Sequence, residues 1–397
     1  MTFDKSKIQY LIGSKNNKSD ISEPFSDVNL EFLNELSLNI FKHKNSKKYK
    51  DLIAFAFWCR KKNIIKIKNN FLDKQFRLGL GIIFHLTPSN VPIAFMYSFI
   101  FGLLSGNSNI VRVSKPDLEQ VKLLFSIIKK IFRIRKFEKL SQNNSFGYYD
   151  KDTNISDYFS SFVDGRVVWG NDKTIGDFKK MTTKSKCVDL FFGDKYSISL
   201  FSSKKLKKLN KIEFSNLIKN FYNDVFIMDQ NACTSPHLII WEKKPLKSII
   251  EIFWNNLEKF VQDNYLTSLS ITSKKYQILN NYLMENSDLR INKMNNKYIK
   301  IIKINKLDKN IINYRGFSGL FFEYEMKDIL ELNEIINRNF QTLSYFGYDK
   351  IFFEKIFKRN KFKGIDRIVP VGETLEMSLI WDGINVVNHL SRIVSIK

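Results

Sequence analysis

Leu78-Gly79-Leu80-Gly81-Ile82-Ile83-Phe84-His85-Leu86 is a compact apolar run that stops at Thr87-Pro88-Ser89-Asn90 and is followed by the apolar stretch Pro92 to Leu104. The spacing predicts strand, turn and helix, in that order. Gly106-Asn107-Ser108 supplies a stop signal, Asn109 to Val113 reads as a second strand, and Pro116 opens an amphipathic helix running to about Arg133. Strands alternating with helices at this interval define a parallel α/β sheet, whose ligand crevice lies at the carboxyl ends of the strands. The turn Thr87 to Asn90 lies at such an end.

The pattern extends in both directions. Upstream, Val28 to Cys59 carries helical apolar spacing at Leu33, Leu36 and Ile40, broken by the lysine-rich His43 to Lys50. Downstream, Arg166 to Trp169 is a short strand ahead of Gly170, and a helix starts near Thr174. A Ser-, Lys- and Asn-rich loop is expected at Ser202 to Ser215, separating a second half. That half should contain helices near Leu246 to Gln262, Lys274 to Met284 and Met326 to Asn339, with strands near Tyr298 to Ile304 and Gly319 to Tyr324. The expected fold class is α/β, with two domains built on parallel-rich sheets and no internal repeat.

At 397 residues the chain is long enough for two or three domains of roughly 150 residues each. Three cysteines without paired spacing argue against a disulfide framework and against a thiolate zinc site, and fit a reducing cytosol. The polar lead Met1 to Lys7 lacks a signal-peptide core. The longest apolar stretch, Val91 to Leu104, suits a buried helix better than a membrane span of roughly 20 residues. A formal charge of +24 raises nucleic acid as a partner. The cations are spread along the chain, however, and the densest stretches, Lys129 to Lys139 and Lys204 to Lys211, carry apolar residues at helical spacing. They read as solvated helix faces, and no nucleic-acid-binding motif accompanies them.

One cysteine has unusual surroundings. Cys233 sits in Asp229-Gln230-Asn231-Ala232-Cys233-Thr234-Ser235-Pro236, a polar break between the apolar runs Val225 to Met228 and His237 to Trp241. Cys59 and Cys187 look like a core position and a strand approach. A cysteine among amides, a hydroxyl and a proline reads as a nucleophile or as a tolerated loop thiol. P-loop, Gly-x-Ser-x-Gly and His-Glu-x-x-His patterns are missing, and Phe84 occupies the third glycine position of a dinucleotide fingerprint begun by Gly79 and Gly81. A Cys-His dyad would use His85 or His237, although His237 reads first as a structural residue at a strand end. A loop thiol in one domain and an asparagine turn in the other suggest thioester chemistry. The thiolate attacks an acyl carbon, and Asn90 with the Cys233 backbone N–H donates to the oxyanion. An ordinary Asx turn is the alternative reading of Asn90.

Six segments occur in an order that resembles the LuxC-type acyl-CoA reductases, a family similar to the aldehyde dehydrogenases. They are Thr87 to Pro92, Ser105 to Arg112, Val168-Trp169-Gly170, Asp229 to Pro236, Gln341-Thr342-Leu343-Ser344 and Trp381-Asp382-Gly383. The resemblance spans roughly Gly79 to Ile396. It implies an aldehyde dehydrogenase-like fold with the site between domains, Cys233 as nucleophile and Asn90 as oxyanion donor. It also implies NADPH-dependent reduction of a long-chain acyl thioester, delivered by CoA or an acyl carrier protein, to a fatty aldehyde. An acyl-protein synthetase or thioesterase partner, a homo-oligomer and a cytoplasmic setting belong to the same expectation, and luminescence is the family's best-known context. The expected domains are 1–202 for the helical region and NADP-binding part, 203–360 for the part carrying Cys233, and 361–397 for a segment returning to the cofactor domain.

Two departures sharpen the resemblance. Where typical aldehyde dehydrogenases hold the cofactor ribose with a lysine and a glutamate, this chain carries Arg112 and Lys115, a change that favours a 2′-phosphate and hence NADPH over NADH. Where they carry the glutamate that activates water, Val188 to Asp194 offers only Asp189 and Asp194, out of register. Loss of that base suits a reductase better than an enzyme oxidising aldehydes to acids. Gly170, with Gly176, resembles the glycine pair around the pyrophosphate but is spaced one residue longer. Trp381-Asp382-Gly383 reads as a structural turn.

Overall fold

The computed structural model describes residues 7–13, 18–71, 75–150, 153–285, 289–291 and 298–396, so the polar lead Met1 to Ser6 lies outside the described residues. The chain forms two units, Met1–Asp194 with Met377–Lys397, and Lys195–Glu376. The divisions fall at 194/195 and 376/377, where the sequence pattern put 202/203 and 360/361. The difference comes from two strands at the margins, both of which pair within the second sheet.

In the first unit the strands are β1 (Gln9–Ile12), β2 (Arg77–Gly79), β3 (Ile82–Leu86), β4 (Ser108–Arg112), β5 (Asn144–Tyr148), β6 (Gly165–Trp169) and β7 (Val188–Phe192). Six of them form a sheet in the order β1-β5-β4-β3-β6-β7, parallel except for β1 at its edge. The chain steps outward from β3 to β4 and β5, then returns to β6 and β7 on the other flank. The order therefore reverses between β3 and β6, the point at which doubly wound sheets open a ligand crevice.

The run Leu78 to Leu86 is not one strand. Asn107 Oδ1 accepts from the Leu80 and Gly81 N–H groups at 2.6 and 3.1 Å, and Asp164 Oδ2 accepts from the Ile82 N–H at 2.8 Å. These side chains take the main-chain donors that a continuous ladder would use. Gly81 has φ +143°, and a Cβ there would run into the Asp164 carboxylate. β2 instead pairs antiparallel with β17 (Ser391–Ile393), and β15 (Ile380–Trp381) with β16 (Ile384–Asn385) forms a separate hairpin.

The helix Ala94–Leu104 lacks a polar face because it is enclosed nearly all round, with Phe95, Met96, Phe99, Ile100 and Phe101 buried. Glu119–Phe132 is amphipathic, burying Val121, Leu124 and Ile128 while Lys122, Lys129 and Lys130 stay exposed. The N-terminal helices Asp27–Lys42 and Lys50–Trp58 join the same core, where Phe32 stacks on Phe132 at 5.4 Å. Each such side chain contributes about 1.5–3 kcal/mol through apolar burial.

The second unit contains β8 (Tyr196–Phe201), β9 (Leu238–Trp241), β10 (Arg290–Ile291), β11 (Lys300–Lys303), β12 (Leu320–Glu325), β13 (Phe340–Phe346) and β14 (Arg367–Pro370). Their order is β10-β11-β12-β9-β8-β13-β14, parallel except for the β10–β11 pair.

Two expected elements are corrected. Ser202 to Ser215 is mostly helical, with a turn at Ser203–Leu206 and a long helix at Lys211–Phe226. Asn210 caps that helix by accepting from Ile212 and Glu213 N–H, while Glu213 accepts from the Asn210 N–H, a reciprocal box that outweighs loop-like composition. Met326 to Asn339 is not one helix but a 3-10 turn at Ile329–Glu331 and a single helical turn at Leu332–Ile335. Ile336 is extended, and Asn337 turns the chain by accepting from Asn339 N–H through its side chain and from Phe340 N–H through its carbonyl.

Candidate active site

The Cys233 turn follows the helix Lys211–Phe226 and precedes β9, so it stands at the amino-terminal edge of the second sheet. Asp229 and Gln230 both adopt left-handed backbone conformations, at φ 50° and 60°. Such residues cost of order 1–3 kcal/mol each and persist only where the surroundings over-determine them. Gln230, 1% exposed, provides that determination. Its Nε2 donates to the Pro236 and Leu320 carbonyls at 2.9 and 3.1 Å, and its Oε1 accepts from the Gly319 N–H at 3.1 Å. Asp229 accepts from the Tyr265 hydroxyl, which also meets Ser318 Oγ at 2.8 Å.

Beyond these anchors, Ser235 N–H donates to Ala232 O at 3.0 Å and closes a turn with Cys233 at its second position, half-buried. Ser235 Oγ donates to Asp224 O at 2.7 Å. Ser197 Oγ, on β8, donates to Cys233 O at 2.6 Å and accepts from Thr342 N–H on β13 at 3.2 Å. The Asp229 to Pro236 and Gln341 to Ser344 segments, far apart in sequence, thus meet through one serine hydroxyl. Cys59 is fully buried and burial pushes its thiol far up, while burial takes half-buried Cys187 up to about 11.

His237 accepts from the Gly316 N–H at Nδ1 (3.1 Å) and lies 5.4 Å from the Tyr196 ring. Burial, helped by the Arg315 cation, lowers its pKa to about 3. Its ring is therefore neutral at physiological pH, with Nδ1 engaged as an acceptor. His85 is likewise lowered to about 4 by burial and bridges Ser98 Oγ and Asn109 Oδ1, both at 2.9 Å.

In the first unit, Thr87 to Val91 leaves the carboxyl end of β3 and enters the helix Ala94–Leu104, and Asn90 is exposed. Ser114 Oγ ties this turn to the β4 exit by donating to Thr87 O at 2.8 Å. Gly170 follows β6, the strand across the order reversal. A Cβ there would sit 2.9 Å from Thr174 Cβ and Cγ2, so glycine allows the close approach of the helix Asp172–Lys179. Asn171 caps that helix through Thr174 N–H at 2.9 Å, and Gly176 faces open space.

Arg112 is buried at the end of β4. Its Nε and Nη2 donate to Tyr149 O at 3.3 and 3.1 Å, and the guanidinium lies 5.0 Å from that tyrosine's ring. Lys115, three residues on, is exposed. Asp189 is held bidentately by Arg166, at 2.7 and 2.6 Å. Trp381-Asp382-Gly383 forms the hairpin corner between β15 and β16, with positive φ at Asp382 and Gly383, the geometry Asp-Gly serves in a type I′ turn. Trp381 packs edge-on against Trp169 at 5.8 Å.

Gln230, Ser197 and Asp224 carry the architecture of the cysteine turn and were not singled out by sequence. Gln230 lies inside the Asp229 to Pro236 segment, where its sequence neighbours give it no distinct role. Ser197 gave no signal, since a serine in an apolar run reads only as strand.

The fold is that of the aldehyde dehydrogenases. The chain is similar to a point mutant of 1-pyrroline-5-carboxylate dehydrogenase from Thermus thermophilus (TM-score 0.62, 9% identity, 92% of this chain and 80% of that one). It is also similar to an NAD-dependent benzaldehyde dehydrogenase from Corynebacterium glutamicum (TM-score 0.62, 10% identity, 94% and 85%). Lactaldehyde dehydrogenase from Escherichia coli gives a TM-score of 0.61 at 12% identity, covering 92% and 86%. Within that fold, the family described as Acyl-CoA reductase (LuxC) matches residues 63–393, and the chain belongs to it. It is 24% identical over 314 residues to the long-chain acyl-protein thioester reductase of Vibrio harveyi, across 74% of this chain and 58% of that protein. It therefore spans about six-tenths of the length of that relative. Among the described residues no helix is long and apolar enough to cross a membrane, and no group of three or more His, Cys, Asp and Glu side chains could hold a metal ion.

Proposed function

We propose that this protein reduces a long-chain fatty acyl thioester to the aldehyde with NADPH, through an acyl group carried on Cys233. The observation that carries the reading is the Cys233 turn: a half-buried thiol on a strained loop fixed by a buried glutamine, in a chain of the acyl-CoA reductase family. The relative from Vibrio harveyi, named for acyl-protein thioesters, supports a long acyl chain.

In this reading the Cys233 thiolate attacks the thioester carbonyl, and the negative charge moves to oxygen. The Asn90 amide and the Cys233 N–H donate to that oxyanion. Collapse expels the donor thiolate, which takes a proton and leaves. A reduced nicotinamide, when bound, supplies the hydride to the acyl carbon. The second collapse breaks the carbon–sulfur bond, so aldehyde departs and Cys233 is again a thiolate. One thioester, one NADPH and one proton give one aldehyde, one thiol and one NADP. The residues fit a dinucleotide in one respect: the crevice outside β3 and β6 is bounded by the Asn90 turn and by Gly170, with open space at Gly176. Lys115 would meet the 2′-phosphate. Oxidation of an aldehyde to an acid is disfavoured, because Asp189 is committed to Arg166 rather than available to activate water. A reducing cytoplasm suits both the thiol and the cofactor.

The test is incubation with a radiolabelled long-chain acyl-CoA followed by NADPH. Wild type should acquire the acyl group on Cys233 and discharge it as aldehyde, and Cys233→Ala should do neither. Equal labelling of the two proteins would overturn the reading.

A further inference from the structure

The proposed nucleophile needs a group that keeps it ionised, and the imidazole nearest in sequence, His237, is neutral with Nδ1 already engaged. We infer that Arg367 is a positioning residue for Cys233, holding its side chain as a thiolate by presenting a fixed guanidinium at the amino-terminal edge of the sheet, where the Cys233 turn stands. This rests on the reading of Cys233 as nucleophile.

Three observations lead to it. Arg367 on β14 is the register partner of Thr342 on β13, and partners in neighbouring parallel strands point to the same face. Thr342 N–H binds Ser197 Oγ, which binds Cys233 O, so strand register brings the cation to the turn's own support. The guanidinium is also fixed, with Nη1 donating to Thr374 O and Nη2 to Glu373 O, both at 2.7 Å.

Those carbonyls are fixed in turn. The Asp224 carboxylate accepts from Gly372 N–H at 2.7 Å, Thr374 N–H at 3.1 Å and Thr374 Oγ1 at 2.9 Å. The Asp224 carbonyl accepts from Ser235, two residues beyond Cys233. A closed circuit of hydrogen bonds therefore runs from Arg367 to the cysteine turn. Burial works against the Arg367 charge, while Glu376, Asp224, Cys233 and Glu373 work in its favour. The attraction between cation and thiolate is mutual, so the Cys233 charge that favours ionised Arg367 is itself favoured by Arg367.

The charged groups acting on Arg367 besides Cys233 are Asp224 from the helix and Glu373 and Glu376 beyond β14; Asp229 in the cysteine turn is bound by Tyr265, and Arg315 acts on neutral His237. A guanidinium cannot be deprotonated in a protein, so Arg367 is no general base. The thiol's proton leaves to solvent before substrate binds.

The experiment is the pH profile of Cys233 alkylation by iodoacetamide in the full chain, followed on the Cys233 peptide by mass spectrometry. Wild type should give one sigmoid with no second ionisation from a paired imidazole. Arg367→Gln should move its midpoint up by about one pH unit and slow alkylation about tenfold at pH 7. Arg367→Lys should restore most of the rate, and Thr374→Val, which loosens the same loop without removing charge, should leave the midpoint in place. A coincident Arg367→Gln profile overturns the inference. If that variant does not fold, an Arg367→Lys midpoint displaced by a full unit overturns it equally, and one that stays in place supports it. The readout uses neither acyl donor nor cofactor. A thiolate that alkylates as expected but accepts no acyl group would sink the proposed function and leave Arg367's role intact.

Discussion

The Cys233 turn stands at the amino-terminal edge of its sheet, ahead of β9, whereas the Asn90 turn stands at the carboxyl-terminal edge of its own sheet, behind β3. The first is enclosed by buried polar groups: Gln230, Ser235 and the Ser197 hydroxyl together fix six main-chain groups in and around it. The second leaves Ser89 and Asn90 exposed. Under the proposed roles, a covalent nucleophile at Cys233 has to be placed before substrate arrives, which an over-determined loop provides. Under the same proposal, an oxyanion donor at Asn90 reaches full strength only once bound substrate and cofactor exclude water from its exposed turn.

The sharpest way to break this contrast is Asn90→Ala. An exposed side chain contributes within about 0.5 kcal/mol to stability, whereas loss of one oxyanion donor costs about 10²–10³ in rate. The expected outcome is an unchanged melting temperature with acyl reduction reduced by that factor. A variant that loses stability and activity together would make Asn90 a structural Asx residue.

The converse substitution is Gln230→Leu, of similar volume. It leaves Pro236 O, Leu320 O and Gly319 N–H without the amide that joins them, at a cost of about 2–3 kcal/mol. Urea unfolding should show that loss, and Cys233 alkylation should become less selective over reagents of different size. An unchanged urea midpoint would mean that the left-handed pair Asp229 and Gln230 is held by something else.

Acid separates the two units next. His85 has a folded-state pKa of about 4 against about 6.5 unfolded, so between those values the unfolded chain binds more protons and stability falls as pH falls. At pH 5.5 that amounts to about 1.4 kcal/mol. His237, at about 3, acts in the same direction, but Asp224 in the same unit acts in the opposite one. Burial raises Asp224 to about 7, so its stabilising contribution is complete below the usual carboxylate value and is lost as pH rises through 7. On passing from pH 7.5 to 5.5, amides of β3 and β4 should lose hydrogen-exchange protection, after correction for intrinsic rates, while those of β9 hold theirs. His85→Gln should remove the loss in the first unit. Equal losses in β3 and β9 would refute the opposition between His237 and Asp224.

What was legible in the sequence follows the same division. The first unit is written locally: an apolar run, a Pro-Ser-Asn stop and an apolar helix are neighbours in the chain, and their alternation gave the doubly wound sheet. The Cys233 turn was legible as an anomaly, because a thiol among amides fits no core pattern. Its supports were not, since Ser197, Thr342 and Arg367 come together only through strand register. Composition also misled where local capping overrode it. Asn210 and Glu213 start a helix inside a stretch that reads as loop, and Asn337 stops one inside a stretch that reads as helix.

The smallest effect concerns the cofactor. Arg112 and Lys115 occupy the two ribose-holding positions in the resemblance, three residues apart, yet Arg112 is buried and gives Nε and Nη2 to Tyr149 O, which makes it a brace for the β5 exit. Lys115 is exposed behind β4, where a point charge can meet a phosphate without displacing an existing contact. Discrimination between NADPH and NADH should therefore rest on Lys115. Lys115→Ala should raise KM for NADPH about three- to tenfold, on the order of 1 kcal/mol for a solvent-screened cation, and leave KM for NADH unchanged. Raising the salt concentration should narrow the proposed preference for NADPH in the same way. If Lys115→Ala weakens both cofactors equally, the residue shapes the loop rather than reading the phosphate, and the exposed edge of the first sheet would then be organised by packing, as the buried edge of the second already is.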